Sequence, residues 1–312
     1  MGALRMAWKL QRWEITTLAA VGAVLAVTLL AVGWRMESVQ ASAPDCWQTD
    51  VDAVLPQSAV NECAQAYAEH DAARTIGSMA GAGVVLLPFV LGVVLGTPVV
   101  AREIEARTAS IAWSVSRSRG RWLALRTLPI LAFVVLGIAV IGLSSLTLQR
   151  QLTGGEVGFG SLIPQLPVLL ARGLLALAVG LVAGTLLGRT LPAVLASAVF
   201  LIAISIGLSI GLDVWMSAEA KPIAELDGTS SKVYNSGLRD DATGELINLD
   251  AFLAREDADD MLEIPPPGMT MVHWQIPGSE YPVWMAREAG VTGGLAIVAG
   301  VAFVLTALRR RP

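Results

Sequence analysis

Lysine, histidine and cysteine are scarce in this chain of 312 residues, which holds three lysines, two histidines and two cysteines. The first two shortages each exclude a chemistry. None of Lys9, Lys221 and Lys232 closes a Gly-x-x-x-x-Gly-Lys-Ser/Thr run, so the loop that cradles nucleotide phosphates is missing and the chain is not expected to hydrolyse ATP itself. His70 and His273 fall in separate polar segments, which supports neither a zinc site nor a histidine-based catalytic centre, and no metal or cofactor is expected in the chain. Charged residues make up only 15% of the chain, and its apolar runs are almost free of them apart from Arg172. Secondary transporters couple ion movement through buried ionisable groups, so that class is left as an alternative, together with a non-transporting membrane sensor or immunity protein.

Apolar residues are abundant instead. They form 54% of the chain and gather into six runs, about 15–34, 78–100, 127–148, 166–187, 191–212 and 289–308. Each is long enough to cross a bilayer as a helix, which makes the expected fold an all-α polytopic membrane protein with six transmembrane helices. Residues 1–14 place Arg5, Lys9 and Arg12 on one side and Trp13 with its apolar neighbours on another, the pattern of an interfacial helix. Ala41-Ser42-Ala43 imitates a signal-peptide cleavage site, but the apolar run before it is about twice the usual length and Pro44 follows, so retention is expected.

Charge sets the expected orientation. With both termini in the cytoplasm, the inner pieces carry 13 basic residues against three acids, Glu14, Glu103 and Glu105, while the outer pieces carry eight basic residues against 23 acids. The excess of arginine in short inner segments favours this arrangement in a cell membrane, with residues 35–77 and 213–288 as extracellular loops. Cys46 and Cys63 share the first of these, where a disulfide is the expected chemistry and two unpaired thiols the alternative. In the second, the run Pro265-Pro266-Pro267-Gly268 predicts an extended strap, with Trp274, Tyr281 and Trp284 resting on the membrane. Glu256, Asp257, Asp259 and Asp260 offer carboxylates to calcium, yet they lack the glycine and terminal glutamate of a calcium loop, and a solvated acidic face is the simpler reading. Gly180, Gly184 and Gly188 recur every fourth residue and predict close approach of another helix, inside the chain or in a dimer. Arg172 is expected to snorkel or to pair with an acid such as Asp213; a polar site within the membrane is the functional alternative.

The stretch from Val94 to Arg126 joins the second and third runs and carries six arginines against Glu103 and Glu105. Ile104, Thr108, Ile111 and Val115 repeat at helical spacing, and Glu103 stands four residues before Arg107, so a short amphipathic helix over 101–121 is predicted. The order Gly-Thr-Pro-Val-Val-Ala-Arg-Glu (96–103), Thr108, Ala-Trp-Ser (112–114) and Ser-Arg-x-Arg-Trp (118–122) resembles the segment after the second span of ABC type-2 exporter permeases, particularly the actinobacterial kind. The span count and His273–Gly290 before the last span fit the same family.

The resemblance implies that 101–121 is a cytoplasmic coupling helix entering a cleft of a separate ABC ATPase subunit, which supplies the ATP and magnesium. It further implies that a second permease copy or a homologous permease completes the pathway. Arg102, Glu103, Glu105, Arg107 and Arg117 are the implied contacts, with Glu103 matching the acid at the start of the family's helix. The alternative is that the arginines serve only as inner anchors and ligands of lipid headgroups. Weakly polar residues along the spans (Thr28, Ser144, Ser145, Ser197, Ser205 and Ser209) suit a hydrophobic or amphipathic cargo such as a drug, antibiotic, peptide or lipid. No nucleic-acid partner is expected.

Overall fold

A computed structural model describes residues 2–47, 57–108, 118–152, 158–161, 163–224, 231–249, 252, 265 and 268–309, with the side chains of 2–11, 57 and 58 outside that description. The helices are α1 (Gly2–Ser42), α2 (Gln57–Gly96), α3 (Pro98–Glu105), α4 (Arg119–Leu152), α5 (Leu166–Leu187), α6 (Thr190–Glu219) and α7 (Tyr281–Arg309). Six helical stretches among the described residues are long and apolar enough to cross a membrane, as the hydropathy predicts, and the chain is a multi-pass membrane protein.

Helix boundaries depart from the apolar runs. Residues 2–14 form no separate interfacial helix, because α1 continues without a break from Gly2 to Ser42. The polar segment 35–77 is largely helical as well, shared between the end of α1 and the start of α2. Its alanines at 59, 64, 66, 68, 72 and 73 favour helix whatever the surrounding polarity. These helix ends face each other. Arg35 and Glu69 pair at 2.7 Å, and Cys46, in a 3₁₀ turn after α1, is joined to Cys63 of α2 by a disulfide with Cα atoms 5.3 Å apart. Tyr67 donates its hydroxyl to the Cys46 carbonyl, and Trp47 packs edge-on against the Tyr67 ring, with centroids 4.8 Å apart. Closing a step of 17 residues restricts the unfolded chain by about 3 kcal/mol. Replacing both cysteines with serine is therefore expected to lower the melting temperature by several degrees. A thiol assay finding two reactive cysteines without reductant would contradict the pairing.

The chain divides into two compact units, Met1–Gly155 with Leu162–Ile204 and Met285–Pro312, and Glu156–Ser161 with Ser205–Trp284. In the first unit α2 and α5 are the inner helices, buried along most of their apolar stretches, whereas α1 is mostly exposed along its own. Leu29 and Met36 of α1, Leu91 and Leu95 of α2, Val134 and Leu148 of α4 and Leu169 of α5 meet in one buried cluster. A polar contact closes one end of it, where the buried Gln149 amide donates to the Ile163 carbonyl at 3.0 Å.

The second unit holds what the sequence reading missed. Residues 221–276 contribute a four-stranded antiparallel sheet in the order β1 (Lys221–Ile223), β4 (Met269–Ile276), β2 (Lys232–Asp240), β3 (Leu246–Asn248). Alternation along Lys232–Asp240 (Val, Asn, Gly, Arg between Tyr, Ser, Leu) is interrupted by a bulge between Val233 and Asn235, which hides the period-two signal. The turn after β2 is held by Asp240, whose carboxylate accepts the amides of Ala242 and Thr243 at 2.8 and 2.9 Å; these bonds keep its carboxyl below the usual range. The three aromatic residues do not lie free for a membrane surface. The Trp274 ring covers Gly237, where a Cβ would come within 2.6 Å of it, while Tyr281 and Trp284 are buried against Phe159 and Trp215. Most of the proline run and residues 256–260 lie outside the described residues.

Candidate functional site

At Gly96–Thr97 the second span reaches a proline that cannot donate to the preceding turn, and a new short helix starts. The backbone still follows a helical course through Thr97, whose amide bonds to the Val93 carbonyl at 3.0 Å. Pro98, Val99, Val100 and Ala101 are buried, so the first turn of α3 is anchored in the bundle. The anchor is a close backbone contact with α5. A Cβ on Gly180 would lie 3.2 Å from the Thr97 amide nitrogen, and one on Gly184 would overlap the Thr97 carbonyl oxygen. The four-residue glycine spacing thus serves packing within the chain at Gly180 and Gly184; Gly188 has a different role, ending α5 in the left-handed conformation at φ 62°.

The second half of α3 is tied to three other helices through its charged residues. Arg102 donates to Glu14 of α1, and Glu103 pairs with Arg126 of α4. Glu105 accepts the Thr190 amide at 3.1 Å and the Thr190 hydroxyl at 2.9 Å, and so satisfies the first amide of α6. Ile104 packs on the main core cluster, as the helical spacing predicts. Arg126 in turn lies over the Trp122 ring, 4.7 Å from its centroid.

Glu103 differs from the exposed acid expected of it. Its side chain is only 14% exposed, and its partner is Arg126 instead of Arg107. One of its carboxylate oxygens, Oε2, is buried without a hydrogen-bond partner among the described residues, as is the Thr97 hydroxyl oxygen. Arg107 cannot pair four residues back on the helix, because α3 has already ended. Arg107 N donates to Ile104 O at 3.1 Å and Thr108 N to Glu103 O at 2.9 Å, the double closure of a Schellman turn. Arg107 sits at the position that favours glycine, with φ 57°, and its side chain is exposed. The predicted helix over 101–121 is therefore shorter than expected, ending at Glu105, and Arg119 already belongs to α4. Ile111, Val115 and Arg117 lie outside the described residues.

Arg172 pairs with Glu288 of α7, its Nε and Nη2 donating to one carboxylate oxygen at 3.2 and 2.5 Å. The expected partner, Asp213, is taken by Lys232 at 2.6 Å. Several of the candidate cargo-lining hydroxyls are also engaged: Thr28, Ser144, Ser145 and Ser197 donate to carbonyls of their own helices.

Sequence reasoning missed Glu14, Arg126, Thr190 and Glu288 as partners. A signal existed for the first. Glu14, Glu103 and Glu105 are the three acids in segments otherwise rich in arginine, and each has found a partner on another helix. The family model described as ABC-2 membrane transporter related matches residues 6–212, from α1 into α6 and with α3 inside it. No curated protein and no solved structure matches the chain.

Proposed function

Because the chain belongs to the ABC-2 membrane transporter related family, we propose that it is the membrane-spanning permease of an ATP-driven exporter. In this reading a separate ABC ATPase subunit binds ATP and magnesium, docks at the α3 end of the bundle, and drives a hydrophobic or amphipathic molecule outward. Both termini are then cytoplasmic in a cell membrane, the Cys46–Cys63 bridge is outside, and a second permease copy or homologue completes the path.

One observation carries the reading. Helix α3 is bonded to α1, α4 and α6 at once, and the chain leaves it through an exposed arginine held at φ 57°. A segment built this way transmits a push to three spans, and it turns Arg107 outward where glycine would relieve the backbone. A cation kept at such a position serves contact with something beyond the chain. The docking face accordingly centres on Arg107, whereas Arg102, Glu103 and Glu105 transmit the motion.

Arg107→Gly separates docking from folding. Glycine removes a strain of about 1 kcal/mol, so thermal stability should hold or rise slightly. Retention of the ABC ATPase partner, measured by co-purification, should fall about tenfold. A variant that keeps full ATPase retention would remove Arg107 from the interface, and absence of any co-purifying ATPase from the native chain would overturn the transporter reading itself.

A further inference from the structure

The described helices also hold an amphipathic groove that the docking reading does not use. Its apolar part, about 540 Å³, lies between α5, α6 and α7 and is walled by Leu175, Val182, Phe200, Val298 and Ala302 among others. Among the described residues of this wall Ser197 is the one polar residue, and its hydroxyl donates to the Ala193 carbonyl at 2.7 Å. A second space of about 410 Å³ adjoins it, walled by Thr185, Leu305, Thr306 and Arg309. Leu186 belongs to both walls. Along α7, Val298, Ala302, Thr306 and Arg309 follow at helical spacing on one face, so the apolar part leads into the one that ends at a cation.

The polar end is consistent in its chemistry. The Thr185 and Thr306 hydroxyl oxygens stand 3.4 Å apart, and Arg309 is exposed beside them. Arg119 reaches the neighbouring Leu308 carbonyl at 3.3 Å and brings a second positive charge to this helix end. Helices α6 and α7, which wall the groove with α5, are only 17% and 22% buried along their apolar stretches, and such exposed faces of spanning helices meet lipid tails. An occupant that fits must offer a long apolar chain ending in an anion.

We propose that this groove binds an anionic phospholipid, with an acyl chain along α5, α6 and α7 and the phosphate beside Arg309. Cations between transmembrane helices at the membrane boundary recognise such headgroups by charge, and the apolar wall supplies the rest of the site. The proposal is independent of the transport direction and of the ATPase.

Phosphatidylglycerol and phosphatidylcholine with identical acyl chains serve as probes in native mass spectrometry of the full chain, delipidated and then titrated with each lipid. The native chain should retain phosphatidylglycerol about fivefold better, Arg309→Gln should abolish that preference, and Arg309→Lys should restore it. Ala302→Phe, which fills the groove, should lower retention of both lipids while leaving the helical circular dichroism and elution profile unchanged. Equal retention of the two lipids by the native chain overturns the proposal, as does a preference that survives Arg309→Gln. So does Ala302→Cys forming cross-links between copies of the chain at full yield with lipid excluded, an outcome that assigns the groove to a second copy.

Discussion

Gly92→Ala is expected to remove most of the folded protein from the membrane. A single methyl group at this position in α2 would lie 2.5 Å from the Ala176 Cβ, 2.5 Å from the Leu177 amide nitrogen and 2.7 Å from the Ala176 carbonyl carbon. Two of those three atoms are backbone of α5, so no rotamer change makes room and the helices must separate. Overpacking that side chains can absorb costs about 1–3 kcal/mol, and a clash with backbone between the two most buried spans should exceed that range. The separation would also open the contact that seats Thr97 against Gly184, and with it the root of α3. Gly207→Ala in α6 is the matched control, because a Cβ there meets nothing within 4 Å, and it should be neutral or slightly stabilising. Fluorescence-detected size exclusion after equal expression makes the comparison. Trimming Ala176 to glycine beside Gly92→Ala should rescue only part of the yield, since the Leu177 nitrogen stays in place. Wild-type yield and melting temperature for Gly92→Ala alone would show that α2 and α5 are not packed this closely.

With the chain working as the proposed exporter permease, Glu103→Gln is expected to uncouple it while leaving its ATPase partner bound. Glu103 and Arg126 are 14% and 20% exposed, so the amide would leave a guanidinium with little water around it and no counter-charge. Breaking a fully buried pair costs about 3–5 kcal/mol, and the remaining exposure together with the Trp122 ring over Arg126 should reduce this to about 1–2 kcal/mol. The protein should therefore fold, but the link between α3 and α4 becomes loose. Substrate-stimulated ATPase activity in proteoliposomes should drop at least tenfold, with co-purification of the ATPase within twofold of wild type. Arg107→Gly should give the opposite pattern, a loss of binding without a loss of stability. The charge exchange Glu103→Arg with Arg126→Glu restores the pair in reverse and should recover part of the stimulation. If Glu103→Gln instead abolishes ATPase binding and the exchange does nothing, Glu103 contacts the partner directly and its pairing with Arg126 is incidental.

The membrane class and the six spans could be read from the sequence because hydropathy is a property of consecutive residues: a run of about twenty apolar side chains has no other solvent to choose. The Cys46–Cys63 pair was legible for a similar reason, since two cysteines in one segment allow a single connection. The glycines at 180 and 184 also announced a close approach, though not to what. Where helices stop was harder to read, because alanine-rich polar stretches extend α2 far beyond its apolar run and a Schellman turn at Arg107 ends α3 early. The small sheet stayed hidden because its strands are short, bulged and joined across long separations. Only the tertiary structure decided the partners. Glu103 faces Arg126, Glu105 faces Thr190 and Arg172 faces Glu288, and none of these choices follows from spacing along the chain. An ion pair between helices depends on which helices are neighbours and at what depth, and that arrangement is settled by the packing of apolar side chains far from the charges themselves.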